Sequence, residues 1–357
     1  MRIAVLGPNW NPLAQPYAGG QEALVATLVR LLRARGHDIL LYGHADTDPQ
    51  LATELVPFAQ LPRLSTIAAL DPQLPEPRFL ADQHAYVGAM ADLVGRSGID
   101  AVLNHCLHQL PLVLSRLVRV PLVTTLHTPP FPWLELGAAL AGPNCRYIAV
   151  SEALACQWTT LRPAPTVIRN GIALDRFCLG AGGPDLVWVG RITAEKGTHL
   201  AIEAARLAGR RLRIVGPIAD PTYFDARVRP MLGSDVEYLG HLDQREVARV
   251  VGGSAAALVT PQWDEPFGLV AAEAAACGTP VVALRRGGLG EVIAPGMGVF
   301  AADGDPAASL AAAVPFAMAL DRGEVRGVAA RWHSAERMVT EYERLLQGLV
   351  AGTPTAP

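Results

Sequence analysis

Two stretches of this chain read alike: an apolar run, a glycine, a loop and then a helix. The first is "RIAVLG" at residues 2–7 and the second "DLVWVG" at 185–190. Both runs are continuously apolar, where a half-exposed strand would alternate. A strand of that kind belongs to a parallel sheet covered on both faces. The first run leads to Gly19-Gly20 and then to "QEALVATLVRLLRARGH", in which Leu24, Leu28, Leu31 and Leu32 recur at helical spacing. Gly36 fits a helix C-cap, and "DILLYG" (38–43) reads as the next strand. "AVLNHC" (101–106), "PLVTTLH" (121–127) and "RYIAVS" (146–151) continue the β-loop-α order. The second set consists of "RLRIVG" (211–216), "DVEYLG" (235–240), "AALVTP" (256–261) and "PVVAL" (280–284).

A chain of 357 residues suits two such domains better than one core. The expected division is 1–174 for a first Rossmann-like domain and 185–330 for a second, with a terminal helix at 331–350. Residues 175–185, which include the Gly/Pro-rich "LGAGGP" (179–184), read as the linker. Residues 57–80 are rich in proline and lack periodicity, so a long excursion with at most short elements is expected there. The tail "AGTPTAP" is expected to fray.

Composition narrows the function. Half the residues are hydrophobic and 18% are charged, which suits a folded chain. The net charge of −3, without a basic block, points away from nucleic acid. No run approaches about eighteen uninterrupted apolar residues, so no membrane span is expected. Pro8, Asn9 and Asn11 end the opening apolar run too early for a signal peptide. Five dispersed cysteines without a CxxC pair suit free thiols in a reducing cytosol rather than a zinc site. Neither opening strand is followed by GxGxxG, which argues against a nicotinamide or flavin.

Three segments of the second half carry groups suited to an anionic, hydroxyl-rich ligand. In "VGRITAEKG" (189–197), Arg191 follows a strand-end glycine and Lys196 is expected to begin a helix. Lys196 is the only lysine of the sequence; every other Lys/Arg position is arginine. A guanidinium and an ammonium on a strand-to-helix loop suit a diphosphate. In "EPFGLVAAE" (265–273) a helix is expected to start near Phe267 or Gly268, offering free backbone N–H groups. Glu265 and Glu273 flank that start without stacking on one face, so they suit two parts of an extended ligand. Gly287-Gly288 in "ALRRGGLGEVI" suggests either a close backbone approach or an ordinary turn. In the first half, Gly19-Gly20 open a helix, and His127 ends a strand before Pro129-Pro130. Each feature has a plain structural alternative: a solvated pair, a capping acid, a turn or a core histidine. Asn9, Trp10, His105 and His108 are candidates for a second substrate, with loop packing as the alternative.

Taken in order, "GGQEALVATLVRLLRARGHDILL", "TLHTP", "VSEAL", "VIRNGIALDRF", "VGRITAEKG", "EPFGLVAAEAAACGTPVVA" and "GGLGEVI" resemble family 4 of the retaining, GT-B-fold glycosyltransferases. The resemblance implies two Rossmann-like domains facing a central cleft, with the final helix packing back on the first domain. It implies that Arg191 and Lys196 grip the diphosphate of a nucleotide sugar and that Glu273 accepts from the ribose. Glu265 would hold the transferred sugar, with Phe267, Gly268 and Leu269 beside it. Gly19 and Gly20 would close on the phosphates, and His127 would lie at the reacting centre. No cofactor beyond the nucleotide sugar and no metal are expected. A UDP-sugar is expected ahead of a GDP-sugar, with the base held mostly by backbone near 238–241. The acceptor would be a small molecule or glycan, with peripheral membrane contact left open and a cytoplasmic setting expected. A sugar-nucleotide epimerase or hydrolase of the same fold, and a non-catalytic nucleotide-sugar binder, remain as alternatives.

Overall fold

The structure is a computed structural model that describes residues 1–352, so Thr353 onward in the expected fraying tail lies outside the described residues. The first sheet contains β1 (Arg2–Leu6), β2 (Asp38–Gly43), β3 (Glu54–Pro57), β4 (Ala101–Asn104), β5 (Leu122–Leu126), β6 (Cys145–Ala149) and β7 (Thr166–Val167). Its order is β3-β2-β1-β4-β5-β6-β7, and its pairings are parallel. The second sheet contains β8 (Leu186–Val189), β9 (Leu212–Val215), β10 (Val236–Tyr238), β11 (Ala256–Val259), β12 (Val281–Ala283) and β13 (Gly298–Phe300). Its order is β10-β9-β8-β11-β12-β13, again parallel.

Each sheet reverses its winding direction beside its opening strand, between β1 and β4 and between β8 and β11. At such a switch point the loops leaving neighbouring strands diverge, which opens a crevice at the carboxyl ends. Burial explains why the strands read as unbroken apolar runs. Ile3, Ala4, Val5 and Leu6 of β1 are all fully buried, because helices cover both faces. The Gly20–Ala34 helix lays Leu24, Leu28 and Leu32 on one face of the first sheet.

β3, β7 and β13 carry weak sequence signals. Each sits at or near a sheet edge and is at most partly buried, so burial imposes little apolar pattern. Within the 57–80 excursion the structure has a short 3-10 turn, Ala68–Leu70, before a long helix begins at Pro77. Lys196 does not begin a helix. It ends the 3-10 turn Ala194–Lys196, and the α-helix starts at Thr198 after Gly197, whose φ is +67°. That left-handed residue breaks the two turns apart.

The last helix, Ala335–Ala351, returns to the first domain. Met338, Val339, Tyr342 and Leu346 join the core of β1, β2 and the Gly20–Ala34 helix. The Tyr342 hydroxyl lies 3.0 Å from Thr125 Oγ1 of β5, and Glu343 pairs with His37 at 2.8 Å and with Arg35. The chain crosses over where Ile172 N donates to His333 O and Ala335 N donates to Ile172 O. Apolar burial therefore makes the crossover a permanent tie between the two lobes. Leu346→Ala removes a fully buried side chain from this seam. We expect it to cost about 2–4 kcal/mol, read as a lower melting temperature by calorimetry.

Candidate active site

A cleft of about 420 Å³ lies where the carboxyl ends of the two sheets face each other. It is lined by His127, Gly19, Gly20, Arg191, Lys196, Glu265, Phe267, Gly268, Leu269 and Glu273. The loop after β11 places Glu265, and the helix Leu269–Ala276 places Glu273. Gly268 is the N-cap, with φ +94°, and a Cβ there would come within 2.3 Å of Leu289. Only glycine combines that turn with that contact. Ala271 N donates to Gly268 O at 3.0 Å, while the N–H groups of Leu269 and Val270 have no partner within the helix, so they are free for an acceptor in the cleft. Gly287 and Gly288 pack against the backbone of Glu265 and Pro266, and Gly288 N donates to Glu265 O at 2.7 Å. Their close approach is thus to the loop that carries Glu265.

Electrostatics gives the second lobe's wall its character. Lys196 Nζ lies 2.7 Å from Glu265 Oε2, and Trp263 Nε1 donates to the same oxygen at 3.1 Å. Lys196 also sits 5.0 Å from the Trp263 ring centroid. Both donors converge on Oε2, while Oε1 accepts from none of the described residues. The carboxylate is thus fixed by one oxygen and offers the other to a hydroxyl. Arg191 is more open, at 46% exposure, with Glu195 3.5 Å away. A pair that exposed binds weakly and leaves the guanidinium available.

Glu273 faces the cleft without a charged partner, and burial pushes its pKa up to about 7. At the floor, His127 Nε2 lies 3.1 Å from His105 Nδ1. Burial lowers the His127 pKa to about 4, so this imidazole is neutral near pH 7.

The other candidates fall elsewhere. Asn9 Nδ2 and Trp10 Nε1 both donate to Asp82, each at 3.0 Å, outside the cleft lining. Arg78 covers the Trp10 ring at 4.5 Å. His108 stacks on Tyr86 and lies 3.3 Å from Gln83 Nε2. His105 is completely buried behind His127 and reaches no acceptor surface.

Several contributors escaped sequence reasoning. Trp263, two residues before Glu265, could have been found from its place in the same loop. Glu291 carried a signal inside "GGLGEVI". Its carboxylate accepts from Glu152 N and Ala153 N of the first domain, at 3.0 and 2.7 Å, and pairs with Arg169. His241 Nε2 contacts Tyr17 O at 2.9 Å across the cleft, and Gln244 N donates to Gln15 Oε1. Nothing local in sequence marks these last contacts, because their partners lie more than two hundred residues away.

Two lobes with this strand order, meeting at their carboxyl ends and tied by a returning terminal helix, form the GT-B architecture. Structures of that class superpose on the whole chain. Sucrose-phosphate synthase from Thermosynechococcus elongatus matches with a TM-score of 0.78 and 21% identity over 98% of this chain and 100% of that one. AviGT4, a glycosyltransferase of avilamycin A biosynthesis, matches at 0.71 and 22% over 99% and 98%. In sequence, the Glycosyltransferase Family 4 model matches residues 18–176 and the Glycosyl transferases group 1 model matches 183–318. Glycogen synthase of Mycobacterium tuberculosis is 32% identical, covering 88% of this chain and 85% of its own. D-inositol 3-phosphate glycosyltransferase of Arthrobacter sp. is 28% identical over 87% and 85%. The chain belongs to this family of GT-B glycosyltransferases. Among the described residues no helix is long and apolar enough to cross a membrane.

The Glu273 carboxyl gives a pH-dependent test. Its folded pKa of about 7 lies above the ordinary value near 4.5, so the folded state holds the proton more tightly than the unfolded one. Stability from this group is therefore lost as pH rises from about 4.5 to about 7 and stays low above it. Glu273→Gln should raise the melting temperature at pH 8 and leave it nearly unchanged at pH 5. The gain corresponds to on the order of 1–2 kcal/mol, because the side chain opens partly to the cleft. Equal melting shifts at both pH values would contradict this assignment.

Proposed function

We propose that this glycosyltransferase moves a sugar from a nucleoside-diphosphate sugar to an acceptor hydroxyl with retention at the anomeric carbon. The observation that carries the reading is the convergence on one cleft wall of Lys196, Arg191, the Leu269 helix start and two separated carboxylates. A diphosphate bound there would lie against Arg191, Lys196 and the free N–H groups. Glu265 Oε1 would accept from hydroxyls of the transferred sugar, and Glu273 from the ribose. The opposite wall is Gly19-Gly20. A Cβ on Gly20 would meet Leu269 Cδ1 at 2.9 Å, so the first lobe stands directly over the helix start.

Departure of the nucleoside diphosphate leaves negative charge on the phosphate and positive character on the anomeric carbon. Fixed cations and helix N–H groups stabilise the first without reorganising. The acceptor attacks from the face that the diphosphate leaves, and its hydroxyl proton passes to a leaving phosphate oxygen. This scheme routes no step through a metal. A UDP-sugar is the preferred donor, consistent with the Anabaena HepE structure in complex with UDP and glucose, which shares this fold with a TM-score of 0.76. Asn9, Trp10 and His108 do not line the cleft; they are kept as acceptor-side candidates of the first domain. The setting is assigned as cytoplasmic.

Lys196→Ala should reduce turnover of a UDP-sugar by about 10²–10³-fold, while circular dichroism stays near wild type and the melting temperature falls because Glu265 loses its ammonium partner. Proton NMR of the product should show the donor's anomeric configuration, and EDTA should leave the rate unchanged. Near-normal transfer by Lys196→Ala would refute its role. Donor consumption that is indifferent to a panel of acceptors would favour a hydrolase or epimerase.

A further inference from the structure

The His105–His127 pair presents a proton-counting problem that the functional reading leaves untouched. His105 is held from every side. Its N–H donates to Leu6 O, its carbonyl accepts from Gln21 Nε2, and its ring stacks 6.3 Å from that of Tyr342. Its Nδ1 lies 3.1 Å from His127 Nε2, and its own Nε2 is buried with no partner. His127 Nδ1 has no hydrogen-bond partner among the described residues, and the residue lines the cleft.

Burial keeps both imidazoles neutral near pH 7, so each carries one proton, and one proton lies between the facing nitrogens. Two arrangements satisfy that count. If His127 donates from Nε2, then His105 must carry its own proton on the orphaned Nε2. That would bury an N–H with nothing to receive it. If His105 donates from Nδ1, its orphaned Nε2 is only an unused lone pair, and His127 carries its proton on Nδ1. Buried orphan N–H groups are rarer than under-used acceptors. The second arrangement is favoured.

We propose that His105 is a positioning residue that fixes His127 as the Nδ1–H tautomer, so that the cleft receives a hydrogen-bond donor and not a base. The recognised chemistry is an oxygen acceptor on the bound donor: a sugar hydroxyl oxygen or an oxygen of the departing phosphate. The terminal helix takes part, since Tyr342 braces the His105 ring and is itself held at Thr125. This inference rests on the transferase reading for its catalytic consequence but not for the tautomer.

Two polar replacements separate position from mere polarity. Asparagine places its amide nitrogen near the site of imidazole Nδ1, whereas glutamine reaches towards Nε2. Nitrogen-15 spectra of the free protein, assigned through loss of signal in His127→Gln, should show His127 protonated at Nδ1. The same state should persist in His105→Asn and shift towards Nε2 protonation in His105→Gln. With a UDP-sugar, His105→Gln should lower kcat about tenfold with little change in donor KM, and His105→Asn should restore most of it. Nε2-protonated His127 in the wild type would overturn the proposal, as would an unchanged tautomer or unchanged kcat in His105→Gln. If the wild type turns over no nucleotide sugar, the transferase reading fails, and the spectra decide the role of His105 alone.

Discussion

Parallel strands impose the geometry from which the site follows. Every strand of a parallel sheet ends on the same side, so all the loops that follow strands gather at one edge. Here two such edges face each other. The loops after β1, β5, β8 and β11 supply Gly19-Gly20, His127, Arg191 and Glu265 to one cleft. Residues far apart in sequence meet because each leaves the sheet near a switch point. What keeps the edges facing is the crossover helix, whose apolar face is buried in the first core.

The fold was legible because burial on both faces writes itself into sequence as continuous apolar runs. The strands β1, β2, β8 and β11 show this. Edge strands such as β7 and β13 are partly wetted and bear little pattern. In the site, the Glu265–Glu273 stretch announced a helix start because glycine and carboxylates stood at loop-to-helix spacing. Lys196 stood out by being the only lysine. What sequence could not display was mutual geometry: that Lys196 and Trp263 share one oxygen of Glu265, or that His105 stands behind His127. Those facts depend on packing between elements, and a local pattern has no means of encoding them. His105 looked like a loop residue able to meet a substrate. Its 0% exposure comes from packing between elements: Leu6, Gln21 and His127 surround it, and Tyr342 of the terminal helix, more than two hundred residues later, stacks on its ring.

The Lys196–Glu265 pair has a physical consequence for binding. Both side chains are largely buried, and truncating either would leave an uncompensated charge. Without a ligand they neutralise each other, with Trp263 holding the carboxylate from a second direction. On the proposed reading, an arriving diphosphate, which carries more charge than one carboxylate, would compete for the ammonium. Glu265 would then keep the indole donor and gain room to accept sugar hydroxyls. The two halves of a nucleotide sugar would thus engage a pair that the empty site already holds in register. Preorganisation of this kind removes the cost of gathering charges at the moment of binding.

The contacts that close the cleft differ from those that join the lobes. At the mouth, His241 reaches Tyr17 O and Gln244 N reaches Gln15 Oε1, both in exposed surroundings. Bonds of that type contribute about 1 kcal/mol each, little enough to break when product departs. Nearer the crossover, Ser151 Oγ donates to Pro266 O in a buried setting, and Glu291 caps a first-domain helix while pairing with Arg169. Behind these lies the apolar seam of the terminal helix. Holding strength therefore increases from the mouth towards the hinge, so opening at the Tyr17 side costs less than separation at the crossover.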